Sequence, residues 1–64
     1  MIQDEQTLRR TTAKNIAAYR KAHKDTQLDL ARKLNYSDKS VSKWERGEGL
    51  PDVYILAQIA QLYG

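Results

Sequence analysis

Hydrogen-bonding side chains crowd the stretch from Ser37 to Arg46, and they dominate the chemistry that this chain can offer. Four of them, spaced so that they share one side of a helix, are Asp38, Lys39, Ser42 and Lys43. Lysine only donates hydrogen bonds, an ionised aspartate only accepts them, and serine does both. Such a set is suited to reading a polar surface.

The chain has few of the residues that catalysis or metal binding requires. The chain has one histidine, His23, and no cysteine, and no carboxylate cluster accompanies the histidine. An active site requires a nucleophile, a base or a metal in a defined constellation. His23 as a metal ligand or catalytic base is therefore the weaker interpretation, and we predict no enzyme, no metal and no cofactor.

Basic residues are concentrated in one part of the chain. The net charge is +3, and residues 9–24 contain six basic residues and no acidic one, whereas residues 47–64 carry only Glu48 and Asp52. A basic face is typical of a protein that binds a polyanion, although solvated surface lysines and arginines give the same pattern. The longest apolar stretch, residues 53–57, is too short to cross a membrane.

Sixty-four residues are enough for one domain. A domain of this size buries only about 60% of the surface that its unfolded chain exposes. No disulfide supports the small core, which suits the reducing cytoplasm. Residues 1–7 are mostly polar and do not show the basic and then apolar pattern of a signal peptide, so we expect a disordered or frayed N-terminus followed by a single domain over residues 8–64.

The apolar pattern predicts an all-α protein, beginning with two helices. The first helix is expected over residues 8–23, with one face formed by Leu8, Thr12, Ile16, Tyr19 and His23. The second begins at Thr26, which with Asp29 forms a capping box. Its buried stripe comprises Leu30, Ala31 and Leu34, and Asn35 is suited to a left-handed helix end.

Two further helices follow. Ser37 is the expected N-cap of the third, which ends at Gly47, where a glycine can take a positive φ. Val41 and Trp44, three residues apart, are expected to face inward; Trp44 as a stacking platform for single-stranded nucleic acid is the weaker alternative. Asp52 caps the fourth helix, which runs to Tyr63 and contributes Leu56 and Ile59 to the predicted core.

The second and third helices are joined by Asn35 and Tyr36 alone, so they must cross steeply. We expect the small Ala31 at their closest approach. The third helix then presents its polar residues outward. A protruding helix with a polar, partly basic face can enter the major groove of DNA, which is about 12 Å wide.

These residues resemble the Cro and phage-repressor type of helix-turn-helix, the XRE family. The matching positions are Thr26, Gln27, Leu30, Ala31, Leu34, Ser37, Val41, Ser42, Lys43, Trp44, Glu45, Arg46, Gly47, Leu50 and Pro51. The resemblance extends over residues 8–64. It implies a compact, lambda-repressor-like fold of four helices, which is a truncated five-helix arrangement. It also implies a transcriptional regulator of the repressor type that reads double-stranded DNA with residues 37–46.

The resemblance also implies a role for each matching residue. Asp38, Lys39, Ser42 and Lys43 would face base edges, although Asp38 could simply cap the helix. Thr26, Gln27, Ser37 and Arg46 would contact phosphate, with Ser37 alternatively reaching a base and Gln27 also bracing the reading helix. Arg20 and Glu45 would form a partly buried ion pair that ties the first helix to the third.

Three departures from the family pattern concern local packing. Lys24 and Asp25 replace a glycine and an apolar residue, Leu28 stands where a charge is common, and Asn35-Tyr36 replaces Gly-Val. Asparagine tolerates the left-handed conformation. Asp25 is expected to open the packing beneath the first loop, with Leu28 partly filling the gap.

The fourth helix is apolar on more than one side, which predicts a covering partner. Either a further helix or domain followed Gly64, or a second subunit forms a homodimer. Family members of this type act in the cytoplasm of bacteria or phage-infected cells, at the nucleoid. The alternative function is a protein-interaction module, such as an antitoxin or adaptor, in which this helix matters more than the reading helix.

Overall fold

The fold consists of four helices, seen in a computed structural model that describes residues 4–64. The helices are α1 (Glu5–Ala22), α2 (Gln27–Leu34), α3 (Asp38–Glu45) and α4 (Val53–Tyr63). Helix α3 packs mainly against α2 and α1, and α4 closes the other side against both α1 and α2. The predicted all-α class and the four-helix arrangement are confirmed.

Helix α1 begins earlier than the sequence suggested. Asp4 is its N-cap and accepts a hydrogen bond from the Thr7 backbone N–H at 2.7 Å. A carboxylate at this position satisfies an otherwise unpaired N–H and suits the positive end of the helix dipole. Residues 4–7, which the sequence placed in a frayed segment, thus form the cap and first turn of α1, and residues 1–3 of that segment lie outside the described part of the chain.

The buried face of α1 also differs from the predicted one. Ile16 is buried as expected, but Leu8, Tyr19 and His23 are exposed. The face that meets the core is instead formed by Ala13, Ile16 and Arg20. The predicted face was drawn from apolar periodicity, which did not include Arg20, although the family resemblance placed this side chain in a partly buried pair.

One cluster of buried side chains connects the four helices. It consists of Ile16, Leu30, Ala31, Leu34, Val41, Trp44, Ile55, Ile59 and Tyr63. Leu56, placed in the core from the sequence, is only half-buried, and Ile55 faces inward in its place. On α4 the buried residues follow a spacing of four, so this helix turns a single narrow stripe toward the core.

The first three helices end in the same backbone arrangement, a Schellman motif. Each has a residue in the left-handed conformation: Lys24 and Asn35 at φ 59°, and Gly47 at φ 73°. At the end of α1, the Asp25 N–H donates to the carbonyl of Arg20 at 3.0 Å. The Asn35 and Gly47 helix ends were predicted correctly.

The N-caps of the later helices also form as predicted. Thr26 and Asp29 make both hydrogen bonds of a capping box, at 3.0 and 2.8 Å. Ser37 caps α3 and Asp52 caps α4 through their side-chain oxygens. These local contacts fix where α3 starts relative to α2, because only a short turn separates them.

Candidate nucleic-acid interface

The outward face of α3 holds the four residues expected to face base edges. Asp38, Lys39 and Lys43 are exposed and Ser42 is half-buried. Since Ser37 accepts the hydrogen bond from the Ser40 N–H at 3.2 Å, capping does not occupy the carboxylate of Asp38. The structure therefore brings these four side chains together on one accessible surface, which we call the α3 face.

Lys43 lies along the loop that follows α3. A Cβ built at Gly49 would be 3.5 Å from the Lys43 Cε, so the aliphatic stem of the lysine passes close to this glycine. The stem is thereby supported by the loop, while the side chain remains exposed. This support directs the ammonium group without removing it from solvent.

Arg46 stands at the end of the α3 face and is engaged within the protein. Its Nε and Nη2 donate to the two carboxylate oxygens of Glu48, each at 3.1 Å. Its Nη1 donates to the Ser42 Oγ. Arg46, which is predicted to contact phosphate, is therefore already paired with a carboxylate of the protein itself.

A buried ion pair fixes α3 from behind. Arg20 donates from Nε and Nη2 to the two oxygens of Glu45, at 2.7 and 2.9 Å, and both side chains are about nine-tenths buried. The Nη1 of Arg20 donates to the backbone carbonyl of Asp25 at 2.8 Å. Such a two-point contact sets the orientation of both partners and so ties α1 to the end of α3.

Gln27 extends this contact to α2. Its Nε2 donates to the Oε1 of Glu45 at 3.0 Å, which joins the first residue of α2 to the last residue of α3. The amide nitrogen carries a second hydrogen, and the side-chain oxygen is an acceptor. Gln27 is half-buried, and its amide braces Glu45.

The charges of this pair shift the pKa values of its members. Burial raises the pKa of the Glu45 carboxyl, but the hydrogen bonds from Arg20 and Gln27 outweigh burial, and the pKa lies below its usual value. The hydrogen bond to Glu45 raises the pKa of Arg20. Both groups are therefore ionised across the ordinary pH range.

Asp25 is a second polar junction, contrary to the expectation that it would open the packing beneath the first loop. Its Oδ2 accepts hydrogen bonds from the Lys33 Nζ at 2.7 Å and the Tyr63 hydroxyl at 2.9 Å, and its side chain is mostly buried. Asp25 therefore joins α2 to α4 rather than opening the packing. Leu28 stays exposed and fills no gap.

The same junction shifts two more pKa values. The hydrogen bond from Lys33, followed by that from Tyr63, lowers the pKa of the Asp25 carboxyl. Burial, together with the hydrogen bond to Asp25, raises the pKa of the Tyr63 hydroxyl. No short-range pattern in the sequence signals this contact, because Asp25 and Tyr63 are 38 residues apart.

Two other candidate functional residues serve the packing. Trp44 is buried in the core beside Tyr36, with ring centroids 5.5 Å apart, so it offers no stacking platform. The His23 Nδ1 donates to the Tyr19 carbonyl at 2.9 Å, and its ring packs on that of Tyr63. Within residues 4–64, no group of three or more potential metal-binding side chains comes together.

Comparison with known proteins identifies the family. The sequence model of the Helix-turn-helix family matches residues 16–64 of the chain. These residues include α2, α3, α4 and the buried Arg20–Glu45 pair. No curated protein and no solved structure matches the chain. The matched family consists of DNA-binding domains and is not typically enzymatic. The chain therefore belongs to the XRE-type helix-turn-helix family of DNA-binding regulators and has a lambda-repressor-like fold.

Proposed function

We propose that this protein is a transcriptional repressor that binds double-stranded DNA sequence-specifically, with α3 in the major groove. The observation that carries the proposal is the accessible, polar α3 face held from behind by the buried Arg20–Glu45 pair. A reading helix must keep its orientation while it contacts bases, because discrimination depends on hydrogen-bond geometry.

We assign base contacts to Asp38, Lys39, Ser42 and Lys43. A lysine can donate to the O6 and N7 atoms of guanine, and an aspartate can accept from the N4 amino group of cytosine. Phosphate contacts are assigned to Thr26, Gln27, Ser37 and Arg46. The second hydrogen of the Gln27 amide and the N-terminus of α2 are candidate donors there, and the helix dipole favours an anion.

A salt titration on duplex DNA tests this proposal. The operator is first selected from a random duplex library, and its affinity is then measured against salt concentration. A protein that neutralises Z phosphates shows a log–log slope of about −0.9Z. We expect a clearly negative slope and tighter binding to the selected duplex than to a shuffled one. A flat titration would contradict DNA binding through this surface.

Lys43→Ala tests the assignment of base contacts. We expect it to relax specificity at one base pair, with a loss of about 1–3 kcal/mol on the preferred base. Lys14→Ala, which removes an exposed lysine of α1, is the matched control and should not change base preference. Equal weakening of Lys43→Ala on every sequence would instead mean that Lys43 contacts only phosphate.

We further propose that the protein acts at the nucleoid in the cytoplasm and binds DNA as a homodimer. One module offers few base contacts, and two-fold half-sites about one helical turn apart are the usual solution. Among the described residues, no helix has the length and apolar character needed to span a membrane. Sedimentation that detects only monomer at micromolar concentration, with and without operator duplex, would contradict the dimer.

A second candidate function is a protein-interaction module, such as an antitoxin or adaptor. It is favoured by the uncovered apolar surface of α4, where Val53 and Tyr54 are 82% and 69% exposed. An open, mainly apolar groove of about 360 Å³ also runs between α1 and α4, lined in part by Ile16, Tyr19, Leu56 and Ile59. A duplex-DNA affinity that depends on neither salt concentration nor base sequence would favour this function over the first.

A further inference from the structure

The loop after α3 places a carboxylate on the arginine that the proposed interface needs for phosphate. Arg46 and Glu48 are each 56% exposed, and two nitrogens of the guanidinium donate to the two carboxylate oxygens. Because the pair is open to solvent, a competing anion can reach it. Pairs of this kind are weak, so the contact is exchangeable.

The backbone holds Glu48 in this position. Gly47 takes the left-handed conformation at φ 73°, and its N–H donates to the Trp44 carbonyl at 3.1 Å. The Glu48 N–H donates to the Lys43 carbonyl, also at 3.1 Å. The Schellman motif therefore returns Glu48 to the end of α3, beside Arg46, rather than leaving it on a free loop.

A carboxylate and a phosphate present the same pair of oxygens to a guanidinium, and arginine binds both in the same two-point manner. Glu48 thus occupies the place that a DNA phosphate would take on Arg46. A third contact of Arg46, from Nη1 to the Ser42 Oγ, places the Arg46–Glu48 pair at the edge of the α3 face.

We infer that Glu48 is an internal competitor for phosphate, which neutralises Arg46 in the free protein and still competes for it when a duplex is bound. The inference rests on the proposed DNA-binding function and adds a residue that limits affinity. Since every duplex carries phosphates, the effect is on affinity for all sequences alike. Glu48 therefore lowers general DNA binding and leaves the preference among base sequences unchanged.

Glu48→Gln tests the inference through affinity and its salt dependence. We expect duplex binding to tighten about threefold to tenfold at low salt, in keeping with an exposed ion pair. The log–log salt slope should steepen by up to about 0.9, because Arg46 then contacts its phosphate in every complex, whereas Glu48 still competes for Arg46 in the natural sequence. The gain should be equal on the selected operator and on a shuffled duplex. Thermal unfolding of each variant verifies that the fold is retained.

Two controls separate this role from a general change in charge. Glu5→Gln removes the same charge from another exposed carboxylate, which pairs with the half-buried Arg9, and should leave the slope unchanged. The Arg46→Gln variant should gain nothing when Glu48→Gln is added, because the competitor then has no target.

Three outcomes would overturn the inference. In the first, Glu48→Gln has the same salt slope and duplex affinity as Glu5→Gln. In the second, Glu48→Gln still tightens duplex binding when Arg46→Gln is also present, and in the third it weakens duplex binding. If the natural sequence binds duplex DNA with a negative slope, these outcomes leave the proposed function intact. If neither the natural sequence nor Glu48→Gln binds duplex DNA, the proposed function and the inference both fail.

Discussion

At the scale of single residues, the left-handed helix ends differ in their energy, although their hydrogen bonds are alike. Gly47 adopts the left-handed conformation at no steric cost, and Asn35 tolerates it. Lys24 has a Cβ and a long side chain, and the left-handed conformation costs such a residue about 1–2 kcal/mol. The end of α1 is therefore strained at Lys24.

Lys24→Gly should stabilise the protein. Relief of the left-handed strain exceeds the added flexibility of the unfolded chain, so we expect a gain of about 0.5–1 kcal/mol in the free energy of unfolding. Urea unfolding measures it. Lys21→Gly, one turn earlier in α1, removes the same side chain from helical backbone and should destabilise the protein. Equal destabilisation by both changes would show that Lys24 is not strained.

Single residues also show what the sequence could and could not predict. The caps Thr26, Ser37 and Asp52 were predictable, because each bonds a backbone N–H three residues away. Asp25 was not, because its partners depend on how α4 lies against α2. Arg46 and Glu48 are only two positions apart in the sequence, so their opposite charges could have indicated the pair.

At the scale of helices, a buried charge determined which face of α1 meets the core. Hydrophobic periodicity selected Leu8 and Tyr19, both exposed, since it assigns every arginine to solvent. Family resemblance correctly put Arg20 opposite Glu45, but the consequence for the rotation of α1 was not drawn. A buried ion pair thus overrides a weak apolar pattern when the helix has few large apolar residues.

Breaking this pair should destabilise the whole domain. Glu45→Gln or Arg20→Gln leaves one buried charge without its partner, which costs about 3–5 kcal/mol. Urea unfolding measures the loss, and the variants can be largely unfolded at 37 °C since small domains have little stability to spare. Arg46→Gln breaks an exposed pair and serves as the control with little change. Comparable losses from all three would mean that burial of the Arg20–Glu45 pair contributes nothing special.

At the scale of the whole molecule, two carboxylates link all four helices. Glu45 joins α3 to α1 and α2, while Asp25, in the loop before α2, bonds to Lys33 of α2 and Tyr63 of α4. The sequence predicted the four helices and most of the core, because these depend on local patterns and on apolar burial. It did not predict the Asp25 junction, which exists only once the helices are assembled.

Stability should therefore fall in acid. The pKa values of Glu45 and Asp25 lie below their ordinary values of 4.5 and 3.8, so the folded state binds protons more weakly than the unfolded chain does. The resulting stabilisation is fully present above those ordinary values and is lost as the pH falls toward the folded-state values. Urea midpoints should be steady near pH 6–7 and decline below about pH 4.5.

The control is Glu45→Gln, which removes one of the two titrating groups. Its stability should start lower at neutral pH and decline less steeply in acid than that of the natural sequence. A decline of the same steepness in both proteins would exclude Glu45 as a source of the acid sensitivity.

The position of Trp44 has a practical consequence for all of these measurements. It is the single tryptophan, and its ring faces the core while the α3 face points away from it. Its fluorescence should shift to longer wavelength when the core opens to water, and it should keep its wavelength when a duplex contacts the outer side of α3. Trp44 fluorescence is thus a built-in reporter that distinguishes a variant that is unfolded from one that is folded but no longer binds DNA.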